Sequence, residues 1–129
     1  MSGDLFAGIN EPGDPRNLSD LEKRHTPAIS APDAVRAGEP FDVEVEVGRL
    51  LPHPADRGHF IQFIELYADE RFLARADIGA GRASPRVCLR VVLHSPAAEL
   101  RAYGNCNLHG VWIGRRPISV TSDDRRTRK

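Results

Sequence analysis

From Pro27 onward the chain alternates apolar and polar residues with the two-residue period of extended backbone, and this pattern predicts an all-β domain. The clearest stretch is Phe41-Asp42-Val43-Glu44-Val45-Glu46-Val47, where Phe and Val take every second place and acids the others, as a half-buried antiparallel strand requires. His59 to Tyr67 is apolar on both faces, which predicts a central strand covered on two sides and followed by a turn over 68–70. A weaker strand over 72–78 is broken by Gly79-Ala80-Gly81. In the next, over 87–93, Val87, Leu89, Val91 and Leu93 share one face; Cys88 points the other way and reads as a small buried hydrophobe. After the turn at Ser95-Pro96 a last strand over 99–103 runs into the segment 105–112. Short strands at regular spacing, with turn residues between them, predict an immunoglobulin-like antiparallel β-sandwich or barrel.

Ahead of the strands, residues 1–21 mix Gly, Pro, Asp and Asn and read as an irregular lead-in, with a short helix over 17–23 capped by Asn17 or Ser19. Residues 22–114 form the β domain. Residues 115–129 read as a flexible basic tail, with Arg125, Arg126, Arg128 and Lys129 as a solvated end. The whole is 129 residues, enough for one domain whose core needs no disulfide or metal merely to fold, so a metal site would serve chemistry. Eighteen basic residues balance eighteen acidic ones, and the net charge gives no argument for a nucleic-acid or membrane partner. No leader-like apolar run opens the chain and no stretch approaches the length of a membrane span, so the expectation is a soluble cytoplasmic protein.

Candidate chemistry is concentrated in three short segments. They are Arg24-His25-Thr26-Pro27, Pro52-His53-Pro54 with His59 six positions after His53, and Cys106-Asn107-Leu108-His109-Gly110. Each falls at a loop or strand edge, where a rigid scaffold can present ligands. One histidine alone is commonly a satisfied polar residue. Four imidazoles and a thiol together form a ligand set that suits iron, zinc or copper. The two cysteines, Cys88 and Cys106, could pair in principle, but in a cytosolic setting a Cys beside histidines is more often a ligand or nucleophile. His94 lies outside the three segments and reads as a surface or turn residue.

The order of these motifs resembles the superoxide reductase family. Lys23-Arg24-His25-Thr26-Pro27 comes first, then Val47-Gly48 with Pro52-His53-Pro54, then His59 with Ile64-Glu65-Leu66 beyond it. Cys106-Asn107-Leu108-His109-Gly110-Val111-Trp112 closes the series. The resemblance covers nearly everything from Glu22 to Trp112. It points to the one-iron, neelaredoxin-type form, because the Cys-rich N-terminal domain of desulfoferrodoxin has no counterpart. It implies the same immunoglobulin-like fold and one iron per chain, with equatorial imidazoles from His25, His53, His59 and His109 and an axial thiolate from Cys106. It further implies one-electron reduction of superoxide to hydrogen peroxide, a small redox donor such as rubredoxin, and a homotetramer. A thiolate opposite the substrate position would push electron density onto the metal, as in thiolate-ligated haem.

The resemblance is imperfect next to His25. The family pattern places Glu-Lys directly before the first histidine, the lysine attracting superoxide and the glutamate binding ferric iron at rest. Here Arg24 intervenes, displacing the Glu22-Lys23 pair by one place. Arg24 is the expected attractor, with Lys23 as runner-up, and since a guanidinium is a poor proton donor, protonation would fall to water. Glu22 as a sixth ligand competes with a role as a solvent-facing acid near a helix end. Phe60 stands where relatives often carry another histidine. Trp112 is expected beneath the metal loop, and the N–H groups of Asn107 and Leu108 are candidates for bonds to the Cys106 sulfur. The competing readings are a non-catalytic metal-binding or electron-transfer module, with zinc in place of iron, and a superoxide dismutase-like activity.

Overall fold

A computed structural model describes residues 5–122 and shows the all-β sandwich that the alternation predicts. The elements are β1 (Ile9–Asn10), α1 (Asp20–His25), β2 (Pro27–Ser30), β3 (Ala34–Arg36), β4 (Phe41–Val47) and β5 (Ile61–Ala68), then β6 (Arg71–Asp77), β7 (Arg86–Val91), β8 (Glu99–Cys106), β9 (Gly110–Pro117) and β10 (Ser119–Thr121). A five-stranded sheet in the order β1-β9-β8-β5-β6 faces a three-stranded sheet β2-β4-β7, and β10 pairs with β3. Val43, Val45 and Val47 of β4 meet Ile64 and Leu66 of β5 and Leu100 and Ala102 of β8 in one core. Among the described residues no helix is long and apolar enough to cross a membrane.

Four expectations are corrected. The helix is Asp20–His25 rather than 17–23, because Ser19 is the residue that caps it: its hydroxyl accepts from the Glu22 N–H, while the Glu22 carboxylate accepts from the Ser19 N–H at 2.8 Å, a reciprocal capping box. The 59–67 stretch is central but buried on one face only. A register irregularity between Ile61 and Phe63 keeps Ile61, Ile64, Leu66 and Ala68 inward, while Phe63 and Tyr67 lie half-buried on the outer face. There Arg75 stacks over Phe63, and Tyr67 meets Tyr103 and Phe72 edge-on. Cys88 is exposed, not buried: its neighbours Val87 and Leu89 pack toward the core, which turns Cys88 outward across from Glu44 on a sheet face that stays open to water.

The tail expected from residue 115 is the fourth. Arg115, Arg116 and Pro117 complete β9, and Ser119–Thr121 run parallel to Ala34–Arg36. The basic cluster Arg125, Arg126, Arg128 and Lys129 lies outside the described residues.

Register places the chemistry at one end of the sandwich. Pro27 pairs with Val47, Ile61 with Cys106, and Cys106 with Gly110, so β2, β5 and β9 begin where β4 and β8 end. Two glycines let the sheets close there. A Cβ on Gly104 would stand 2.9 Å from Cγ2 of Val47, and one on Gly114 would overlap the Pro27 carbonyl oxygen.

Candidate metal centre

His25 ends α1, His53 lies in the loop after β4, His59 stands two residues before β5, Cys106 ends β8, and His109 directly precedes β9. The fold brings all five together. The four imidazoles form a closed ring, with neighbouring centroids 4.8 Å apart for His25–His53 and His53–His59, 5.1 Å for His59–His109 and 4.8 Å for His109–His25. Each neighbouring pair is edge-on, and His25 and His59 face each other across the ring at 6.4 Å. Ligand atoms of His25, His59, Cys106 and His109 all lie within 4.8 Å of one another. His53 stands outside that mutual distance, yet its Nε2 is 3.3 Å from Cys106 Sγ. Nδ1 of His109 is 3.6 Å from the same sulfur.

Hydrogen bonds choose which ring nitrogen faces the centre. Nδ1–H of His25 donates to the Leu21 carbonyl at 2.8 Å, and Nδ1–H of His53 donates to the Pro54 carbonyl at 2.7 Å. Both tautomers thereby leave an Nε2 lone pair pointing inward. Nε2 of His25 and Nε2 of His59 are buried without any hydrogen-bond partner. An orphaned buried polar atom costs roughly 1–3 kcal/mol, and two of them aimed into one space beside a thiol are accounted for by a cation that takes their lone pairs. The donor set of imidazoles and sulfur fits iron, zinc or copper and excludes the hard oxygen-seeking ions.

The electrostatics agree. Burial lowers the pKa of His25, of His59 and of His53, the last to about 4, and so favours neutral imidazoles able to ligate. Burial pushes the Cys106 thiol up, opposed by backbone N–H bonds to the sulfur from Leu108 and His109. Leu108 was expected in that role, and His109 takes the place expected of Asn107, whose N–H donates to the Phe60 carbonyl instead. Trp112, the only tryptophan in the chain, is buried, stacks on the His25 ring at 5.2 Å and donates Nε1–H to the His109 carbonyl at 3.0 Å.

The buried His53 makes the stability of the metal-free chain depend on pH. His53 titrates near 6.5 unfolded and about 4 folded, so between those values the unfolded state binds more protons and stability rises with pH. Its contribution is complete above pH 6.5 and is lost as pH falls toward 4, a change of roughly 3 kcal/mol. Urea unfolding of metal-free protein at pH 7.5 and pH 4.5 checks this, and equal midpoints would contradict it.

The residues beside the ring divide. Arg24 is exposed, and its guanidinium donates to the Pro52 carbonyl at 3.0 Å, which carries its charge to the His53 loop. Lys23 instead lines an apolar cleft with Leu18, Pro27, Ala28 and Leu50. The Glu22 carboxylate is engaged in the α1 cap. His94 is exposed. Sequence reasoning missed two supporting positions. Gly48 has φ +90°, and a Cβ there would stand 2.5 Å from the backbone nitrogen of His53, a reason the Val-Gly motif does not show by itself. The Asn107 side chain is the other, and only the fold reveals its partners.

A family model described as desulfoferrodoxin matches residues 17–115. A relative from Methanocaldococcus jannaschii is 42% identical over 110 residues, 83% of this chain and 90% of its own. The superoxide reductase of Pyrococcus furiosus is 30% identical over 107 residues, 70% of this chain and 84% of its own. Among solved structures, the superoxide reductase (neelaredoxin) of Ignicoccus hospitalis is similar with a TM-score of 0.74 and 36% identity, over 87% of this chain and 94% of its own. An all-β sandwich carrying a histidine–cysteine centre at one end is a non-haem metalloprotein by class. The chain belongs to the desulfoferrodoxin and superoxide reductase family.

Proposed function

We propose that the protein is a superoxide reductase that holds one iron through His25, His53, His59, His109 and Cys106. The observation that carries this reading is the ring of four imidazoles around a buried thiol, with two Nε2 atoms left unpartnered. When bound, the iron supplies the single electron that, with two protons, converts superoxide to hydrogen peroxide. Imidazole ligands add no negative charge, so the iron-loaded centre would stay attractive to an anion. The Cys106 sulfur, which receives backbone N–H bonds from Leu108 and His109, would hold that iron as a thiolate and supply it with electron density.

Arg24 draws superoxide toward the ring, its guanidinium held at the His53 loop by Pro52, and Lys23 is the runner-up for that role. Neither Arg24 nor the capped Glu22 is suited to deliver protons, so water does. A small redox protein such as rubredoxin returns the electron to a homotetramer, and family resemblance supports both statements; the cytoplasm is the proposed setting. The reading is tested by following superoxide loss with iron-loaded and metal-free protein in the presence of a reductant. Catalytic loss confined to the iron-loaded form is expected, and equal rates would refute it. Arg24→Gln should slow the iron-loaded protein about threefold at low ionic strength and flatten its salt dependence, while Arg24→Lys keeps both. A salt profile unchanged in Arg24→Gln would remove Arg24 from the role.

A further inference from the structure

We infer that Asn107 is a positioning residue that fixes the distance between the Cys106 thiolate and the His59 imidazole, an inference that rests on the metal-centre reading above. His25 and His53 are each oriented by their own Nδ1–H bond to a carbonyl. The His109 carbonyl is held by Trp112. The His59 ring makes no hydrogen bond among the described residues, and its Nε2 is buried and unpartnered. Its direction is therefore set by the backbone on which it stands.

That backbone is bonded at every polar group around the ring. The His59 N–H and carbonyl pair with the Asp56 carbonyl and N–H, at 3.2 and 3.0 Å. The other three groups are all taken by one residue. Asn107 Nδ2 donates to the Gly58 carbonyl at 2.9 Å, Asn107 Oδ1 accepts from the Phe60 N–H at 2.9 Å, and the Asn107 N–H donates to the Phe60 carbonyl at 3.2 Å. Asn107 thus grips the chain on both sides of His59, and it directly follows Cys106. A carboxamide is the group for this task, since one planar end offers both an acceptor and a donor. Serine, alanine and aspartate each lack at least one of the two contacts. Partners of this kind, one shell removed from a metal ligand, typically govern affinity about 10- to 100-fold.

The test uses Co2+ as the probe, because its visible bands report thiolate and imidazole ligation without any turnover. Asn107→Ala should release Co2+ to a competing chelator about 10- to 100-fold more readily than the wild type. Its thiolate charge-transfer band should persist while the ligand-field bands move toward those of His59→Ala rather than those of Cys106→Ala. Asn107→Asp, which keeps the acceptor and loses the donor, should fall between, and it decides the matter if the alanine variant fails to fold. Variants that match wild-type affinity and spectrum, whatever their melting temperature, would overturn the inference. That result leaves the metal reading intact, whereas a wild-type chain that binds no Co2+ would remove both.

Discussion

Replacing Cys106 by serine is expected to abolish the visible band of the oxidised iron form and to slow superoxide reduction on the order of a hundredfold or more. The sulfur is fully buried, lies 3.3 Å from His53 Nε2 and receives backbone N–H bonds from Leu108 and His109. A hydroxyl there is nearly the same size but shorter in reach, and it does not ionise in the range where a thiol does. The anionic soft donor is thereby lost while the surrounding strands keep their contacts. Absorption spectra and superoxide decay rates of wild type and variant measure the effect, with urea unfolding of the metal-free forms as control. Those unfolding free energies should differ by no more than about 1 kcal/mol. A variant that retained the band would show that sulfur is not a ligand.

The second large effect lies in the scaffold. Gly114→Ala should destabilise the protein by about 4 kcal/mol or more, or prevent folding, because the added Cβ would occupy the position of the Pro27 carbonyl oxygen. That oxygen is backbone and cannot swing aside as a side-chain tip could. Pro27 lies two residues beyond His25, so any shift that relieves the clash also moves a ring member. Gly13→Ala serves as the comparison, since nothing lies within 4 Å of a Cβ there, and it should change stability by less than about 0.5 kcal/mol. Denaturant unfolding of both variants decides the point. A Gly114→Ala protein within 1 kcal/mol of the wild type would contradict the packing described at this end of the sandwich.

The same glycine explains part of what sequence reading could and could not see. The period-two signal of Phe41–Val47 was unmistakable because one face is wholly core and the other charged. Gly110–Pro117 hid its strand: Gly114 is small because β2 crosses close above it, and Arg115 and Arg116 read as tail until their partners Glu11, Glu99 and Asp33 are seen. Cys88 was misjudged because alternation gives a direction, whereas burial depends on whether anything covers that face. At the site, the histidines and Cys106 were legible as residue types with spacing, strengthened by resemblance. Their ring geometry, the tautomers set by Leu21 and Pro54, and the Asn107 grip depend on contacts between residues far apart in the chain. No local pattern carries those.

A superoxide reductase centre passes one external electron to each superoxide. The most direct measurement is the peroxide yield per superoxide consumed by the iron-loaded protein, with a reductant supplied and then withheld. Reduction predicts one peroxide for each superoxide, one electron drawn from the reductant each time, and cessation once the reductant is gone. A yield of one peroxide for every two superoxides, unchanged when the reductant is withheld, would contradict it.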